Sequence, residues 1–424
     1  MNVLLLGSGA REHALAWRLS ESPLCSQLFI APGNAGTEQY GSNLPLDVND
    51  FAAVRAAVLE QNVRLVVCGP EEPLVRGLQD YFSTDEELKA VYFVGPSRKA
   101  ARLEGSKAYA KAFMEEYEIP TAGYRRFTVD DGAEGEEYLA TRTPPIVLKA
   151  DGLAAGKGVL ILDDVAEARR ELQAMLQGKF GEAGSTVVVE DFLRGIEFSV
   201  FVLTDGKSYR ILPVAKDYKR IGAGDTGPNT GGMGSVSHPP FVDADLMRKV
   251  EQRIVQPTLH GIQARKLDYR GFIFIGLIVV GGEPYVIEYN CRMGDPETQS
   301  VMARLNTDLM KLLLETMEGD LSTAVVQMDR RQAATVVLVS GGYPGAYEKG
   351  KVITGLDEVT ADSMVFHAGT TRNAEGEIVT NGGRVLSVTS YGETFQEALE
   401  KSYANARRIK FDGVHYREDI GFDL

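Results

Sequence analysis

Short apolar runs separated by amphipathic stretches organise the first hundred residues. Val3-Leu4-Leu5-Leu6 has the unbroken apolar character of a buried strand. Gly7-Ser8-Gly9 is a turn, and Glu12 to Leu19 predicts a helix packing through Ala14, Leu15, Trp17 and Leu19. Strand Leu28-Phe29-Ile30, a helix over Asp50 to Gln61, strand Leu65-Val66-Val67-Cys68, a helix near 74–82 and strand Val91-Tyr92-Phe93-Val94 follow. Such alternation predicts a parallel sheet with helices on both faces. Ligands of these sheets sit beyond the C-terminal strand ends, here the loops Gly7–Glu12, Pro32–Gly36, Gly69–Pro73 and Gly95-Pro96.

The pattern then changes. Ser106 to Tyr117 predicts a helix stopped at Ile119-Pro120, and strands are expected at Ile146–Lys149, Val159–Leu162 and Val187–Glu190. More strands, a long helix over Asp243–Arg265 and a helix over 300–318 come next. Past residue 326, strands at 334–340, 364–367 and 384–389 accompany one helix, Thr394–Arg408. The expected fold is multidomain, α/β and α+β, divided into 1–103, 104–326 (with a subdomain at about 123–195) and 327–424.

Composition narrows the partners. With 45 Lys and Arg against 59 Asp and Glu, the net charge of −14 repels a nucleic-acid backbone, while leaving room for a local basic pocket. Cys25, Cys68 and Cys291 are scattered, and the five histidines lack metal-protease spacing, so neither a disulfide framework nor a zinc cluster is expected. No apolar run approaches a membrane span, and the start MNVLLLGSGAREHA passes straight into a glycine turn, unlike a signal peptide. A cytoplasmic protein is expected.

Several segments carry chemistry. The loop Gly7-x-Gly9 opens a helix, where backbone N–H groups can hold a phosphate. A dinucleotide fold would want glycine near position 12 and an acid ending the second strand. Glu12 and Ile30-Ala31-Pro32-Gly33 stand there instead, which disfavours a nicotinamide cofactor. Small and glycine-rich loops at one sheet edge favour a phosphosugar. Glu71 and Glu72 either bind its hydroxyls or belong to a solvated loop. Lys149-Ala150-Asp151-Gly152 to Gly156-Lys157-Gly158 joins two strands and lacks Walker A spacing, yet two lysines on a glycine flap suit a lid over a triphosphate.

Downstream, strand Val187–Glu190, connector Asp191–Gly195 and strand Glu197–Val200 have the shape of a hinge, where Glu190 or Glu197 can take a base amine or ribose hydroxyls. Glu288 and Asn290 share one strand face by period two and present oxygen ligands suited to Mg²⁺. Arg292 and Asp295, around Gly294, either grip an amino acid at both ends or close the turn on each other. Residues 216–234 hold too many glycines for a regular element, which points to a loop that approaches a ligand.

In their order along the chain these motifs resemble the ATP-grasp enzymes, and within them the phosphoribosylamine–glycine ligase family. The resemblance runs through GSGAREHALAW, APGNAGT, GPEEPLV, LEGSKAYAK, KADGLAAGKGV, DTGPNTGGMG, EYNCRMGDPETQ, GGYPG, FHAGT and TNGGRVLSV, with Met293 where Leu or Phe is commoner. It implies a Rossmann-like N-terminal domain, a central ATP-grasp domain and a small mixed C-terminal domain. The implied reaction joins glycine to 5-phosphoribosylamine through glycyl phosphate, with ATP as co-substrate and Mg²⁺ or Mn²⁺. By the same resemblance Lys107, Lys149, Gly156 and Lys157 contact ATP phosphates. Glu190, Phe192, Leu193 and Glu197 form the adenine–ribose hinge, and Glu288 and Asn290 bind metal. Arg292, Gly294, Asp295 and Asp217 position glycine or its acyl phosphate, with Arg292, Asp295, Lys149 and Lys157 acting in the chemistry. Gly9, Asn34, Gly36 and Glu71 are assigned to phosphoribosylamine. A monomer in transient contact with the preceding purine-pathway enzyme is expected.

Overall fold

The computed structural model describes residues 1–153 and 158–424. The N-terminal strands Asn2–Gly7, Gln27–Pro32, Ser42–Asn43, Val63–Cys68 and Tyr92–Pro96 form a parallel sheet, as their apolar runs predict. Leu4 and Leu6 pack on one face and Val3 and Leu5 on the other, so both faces are buried.

This sheet continues into the central part of the chain. The strand Tyr269–Val280 pairs first with Tyr92–Pro96, at Tyr269↔Pro96, and then with Ile196–Thr204 and Glu283–Asn290. Nine strands thus share one sheet and hold the N-terminal loops in fixed register with Glu288 and Asn290. A four-stranded antiparallel sheet, Tyr124–Thr128, Thr186–Asp191, Ile146–Ala150 and Val159–Leu162, forms the separate subdomain. Its own core contains Phe127, Leu148, Leu172 and Val189.

The C-terminal sheet takes two outer strands from far upstream. Lys216–Asp217 and Gly234–Ser237 extend Gln332–Val339, Arg384–Gly392 and Ser363–His367. The glycine-rich stretch expected to be irregular therefore contains ordered strands, including the pair Arg220–Gly222 and Thr226–Asn229. Two predicted helices are each broken in two. The first becomes Glu71–Arg76 and Leu78–Thr84 around Gly77, whose φ of 93° favours glycine. The second becomes Glu297–Arg304 and Leu309–Glu318, where Asp308 caps the new start by accepting the Lys311 N–H. Among the described residues no helix is long and apolar enough to cross a membrane.

Candidate active site

The strand Ile146–Ala150 turns Ile146, Leu148 and Ala150 into the subdomain core, so period two sends Lys149 to the opposite face. There its Nζ lies 3.0 Å from Glu190 Oε2 and 3.3 Å from the Ile287 carbonyl. Lys111 approaches the same Glu190 oxygen at 3.3 Å and donates to Thr121 Oγ1 at 2.7 Å. Burial pushes Lys111 down to about 8, against the pull of Glu190. Glu190 Oε1 is buried and has no partner among the described residues. One oxygen of the carboxylate is thus pinned by two ammonium groups, and the other is left to accept a donor.

Lys107 donates to the Gly152 carbonyl at 3.2 Å, and burial lowers it while Glu288 opposes that shift. Asp151 locks the two lysine-bearing segments together. Its carboxylate accepts the Ala108 N–H at 2.6 Å and the Ser106 hydroxyl at 3.0 Å, and Ser106 caps helix Lys107–Glu116. Gly156 and Lys157 lie outside the described residues. Phe192 and Leu193 occupy the connector between Thr186–Asp191 and Ile196–Thr204. The connector ends at Gly195, where a Cβ would lie 2.0 Å from the Val279 carbonyl oxygen, so only glycine fits.

Glu197, Asp217 and Glu297 form an acidic group around Lys219. Lys219 Nζ is 3.0 Å from both Glu197 and Asp217, and it draws Glu197 below the usual carboxylate range. Burial would depress Lys219, but Asp217, Glu197 and Glu288 together hold it well above its ordinary value. Glu297 is pushed up to about 8, first by burial and then by Asp217. Lys216 and Lys149 add weaker pulls on Glu197, while Asp217 and Glu297 crowd two carboxyls together, which suits a further cation between them.

Glu288 and Asn290 flank the buried Tyr289 on strand Glu283–Asn290 and share its other face. The register jumps from Gly276↔Glu288 to Leu277↔Val286, so Ile287 is a bulge whose carbonyl is the one that accepts Lys149. Two oxygen-bearing side chains on a fixed strand fit a hard divalent ion that shares phosphate oxygens. Among the described residues no cluster of three or more His, Cys, Asp or Glu offers a self-sufficient metal cage.

Arg292 and Asp295 do not pair with each other. Arg292 Nη2 is 2.7 Å from Glu104 and Nε 3.4 Å from Glu71. Burial raises Glu104, against Arg292, whereas at Glu71 burial is the largest single effect but Arg292 and Arg11 together overcome it and hold the carboxyl below its ordinary value. Asp295 accepts from Gln299 at 2.9 Å and lies 3.1 Å from Arg384 of the C-terminal sheet. Burial would raise Asp295, but Arg384 and Arg11 keep it below its ordinary value. Gly294 leaves room for Glu297, whose Oε2 would lie 2.4 Å from a Cβ there.

In the first glycine loop the Gly9 N–H is taken by the chain itself. Glu12 Oε2 accepts the Gly9 N–H at 2.7 Å, and Arg11 Nε reaches Glu12 Oε1 at 2.6 Å. A Cβ on Gly7, Gly9 or Gly69 would come 2.5, 2.8 or 2.0 Å from the Glu12 side chain. The glycines make space for a carboxylate of the chain itself, which takes the helix-end position of an anion. Asn34 is also occupied. It donates to Ser8 and His367 carbonyls at 2.9 and 2.8 Å, and its Oδ1 accepts from Gly36 and Thr37 N–H groups at 2.8 and 3.1 Å. Gly36 lies under the rings of His13 and His367. His13 Nδ1 accepts the His367 N–H at 2.7 Å, and burial drives both imidazoles down, to about 3 and about 4.

Lys111, Glu104, Lys219, Glu297, Arg11 and Arg384 belong to these contacts and escape the sequence reading. Lys111 stands four residues after Lys107, on the same helix face. Glu297 lies within RMGDPETQ. Glu104, Arg11 and Arg384 lie within LEGSKAYAK, GSGAREHALAW and TNGGRVLSV, and Lys219 stands two residues after Asp217, but Arg292, Met293, Asp295 and Glu197, which these four also meet, are distant in sequence.

Profiles of phosphoribosylglycinamide synthetase match in three parts: the N domain over residues 1–104, the ATP-grasp (A) domain over 105–298 and the C domain over 333–423. Phosphoribosylamine–glycine ligase of Nostoc sp. is 46% identical over 427 residues, covering 100% of this chain and 99% of the relative. That of Vibrio vulnificus is 45% identical, covering 100% and 98%. The crystal structure of phosphoribosylamine–glycine ligase from Thermotoga maritima superposes with a TM-score of 0.85 at 37% identity, over 99% of this chain and 100% of that one. Biotin carboxylase from Campylobacter jejuni, solved as an ATP complex, shares the fold at 13% identity and a TM-score of 0.73, over 97% of this chain and 92% of its own.

Proposed function

This chain belongs to the phosphoribosylglycinamide synthetase family, and from that premise we propose that it uses ATP to join glycine to 5-phosphoribosylamine, giving glycinamide ribonucleotide, ADP and phosphate. A glycine carboxylate oxygen attacks the γ-phosphorus, and ADP leaves. The amine then attacks the carbonyl carbon of glycyl phosphate, and phosphate leaves. Such phosphoryl transfer needs positioning and charge neutralisation more than a protein nucleophile.

The observation that carries the reading is the buried pair Lys149–Glu190, with a free acceptor oxygen on one side and the Glu288–Asn290 strand on the other. Lys149 and Lys107 supply positive charge for the phosphates. Glu190 Oε1 accepts from the base amine, and Glu197 takes the ribose hydroxyls. Glu288 and Asn290 hold Mg²⁺ or Mn²⁺, which when bound shields phosphate charge.

Asp295 is already engaged by Arg384 and Gln299. The glycine ammonium therefore fits better against Asp217 and Glu297, the acidic group short of cations. Arg292, between Glu71 and Glu104, lies beside the N-terminal loops and suits a role in orienting the substrate carboxylate or acyl phosphate. Gly9, Asn34 and Gly36 shape the phosphoribosylamine side through Glu12 and His367, and Glu71, paired with Arg292, is a polar group available to it.

The test is a mass-spectrometric product assay with ATP, Mg²⁺, glycine and freshly generated phosphoribosylamine, omitting each in turn. Glycinamide ribonucleotide with equal ADP, only in the complete mixture, is the expected result. ADP release with a different acid or amine, and no such product, would overturn the substrate assignment.

A further inference from the structure

Three C-terminal motifs, GGYPG, FHAGT and TNGGRVLSV, take no part in the chemistry above, yet the structure brings them to one side of the site. Strands Ser363–His367 and Arg384–Gly392 are neighbours, with His367 opposite Leu386. The first delivers His367 to Asn34 and His13. The second starts at Arg384, whose guanidinium reaches out of the C-terminal sheet to two distant segments. Its Nη2 is 3.1 Å from Asp295 Oδ2, and its Nη1 donates to the Asp295 carbonyl at 2.7 Å and the Gly231 carbonyl at 2.6 Å. Tyr343 of GGYPG accepts the Gly231 N–H at 2.9 Å.

The local sequence protects this reach. A Cβ on Gly231 would come 3.0 Å from Arg384 Cζ. A Cβ on Gly369 would lie 2.5 Å from the Gly382 Cα, and Asn381 N–H donates to the Gly369 carbonyl at 2.7 Å. Two backbones packed this closely fix the turn that launches Arg384. The side chain is mostly buried, and a rigid planar fork serves three acceptors at once in fixed directions, which the point charge of a lysine on its flexible stem does not reproduce.

We propose that Arg384 is the positioning residue of the turn 294–296: it sets the orientation of Asp295 and anchors the loop 230–234, making the C-terminal domain a working part of the active site. This rests on the ligase reading. Without Arg384, Asp295 keeps Gln299, the Arg11 N–H and the charge of Arg11, and among the described residues Gly231 keeps the Tyr343 hydroxyl. The contacts of Lys107, Lys149 and Glu190 among the described residues do not include Arg384, so nucleotide binding is expected to stay intact.

The experiment compares R384A, R384K and D295N with wild type. In R384A, kcat/KM for glycine falls about 100-fold while the ADP dissociation constant, measured by calorimetry, changes less than about twofold. R384K falls about tenfold, keeping charge without the fork. Millimolar guanidinium restores at least about fivefold activity to R384A and none to wild type, and R384A/D295N is no worse than the poorer single variant. A glycine kcat/KM within twofold of wild type, a matching loss of ADP binding, or additive losses would overturn the proposal. R384K decides by the same split if R384A fails to fold, and wild-type kinetics in R384K contradict it. Amide hydrogen exchange at 230–234 separates this from failure of the ligase reading. It accelerates at least about tenfold in the Arg384 variants whatever the substrates are, and unchanged exchange rejects the anchor.

Discussion

Lys149 and Glu190 meet across neighbouring strands, Nζ to Oε2 at 3.0 Å, while the second Glu190 oxygen is buried without a partner among the described residues. Lys111 shares the paired oxygen, so the carboxylate keeps a counter-ion if Lys149 is lost. Lys149→Ala is therefore expected to fold, and to lower kcat/KM for ATP by about 100-fold through loss of phosphate-side charge. Steady-state kinetics and nucleotide calorimetry check this, and unchanged ATP parameters would remove the lysine from the phosphate site.

Glu288 stands half-buried on the strand face it shares with Asn290. Glu288→Ala is expected to cut turnover about 1,000-fold with an unchanged circular dichroism spectrum, and Asn290→Ala to raise the Mg²⁺ concentration for half-maximal rate about tenfold. Full activity of Glu288→Ala at low Mg²⁺ would exclude the metal role.

Glu297 sits beside Asp217, and burial and that neighbouring carboxylate push it up to about 8, which favours holding a proton on the pair in the empty enzyme at neutral pH. An ammonium bound there favours the ionised form. KM for glycine should then fall as pH rises towards 8, by up to about tenfold per unit, and level off above it. In Glu297→Gln that pH dependence disappears. A KM that rises over the same interval would place the ammonium elsewhere.

His13 and His367 are buried neutral, at about 3 and about 4, against an ordinary value of 6.5. The unfolded chain binds more protons than the native one between these limits, so stability is intact above pH 6.5 and is lost as pH falls towards 4. His367 alone accounts for a loss on the order of 3 kcal/mol across that window. Urea titrations at pH 7 and pH 5 measure it. A midpoint that does not move would show that the pair is not buried neutral.

Much of this arrangement is written locally in the sequence. The apolar runs mark the parallel strands, and the Glu288–Asn290 spacing survives because the bulge at Ile287 precedes both residues. The Gly7-x-Gly9 loop misleads for a specific reason. Glycines that admit a phosphate and glycines that admit a neighbouring glutamate look alike, and here the glutamate is Glu12, three residues beyond the Gly9 cap. Asn34 resembles a binding residue until its four internal hydrogen bonds are seen. Arg384 and Lys219 are hard to read in sequence because Asp295, Gly231 and Glu197 lie far from them along the chain, and the C-terminal sheet joins residues 216–237 to 384–392 only through the strand Gln332–Val339 between them.

The most direct test of an ATP-driven acyl-phosphate ligation follows the carboxylate oxygens. Glycine labelled with ¹⁸O at both carboxylate positions is turned over with ATP and phosphoribosylamine, and the products are read by mass spectrometry. Transfer of one labelled oxygen to phosphate, with the other kept in the amide of glycinamide ribonucleotide, is the predicted result. Phosphate free of label alongside that product would contradict attack of the glycine carboxylate on ATP.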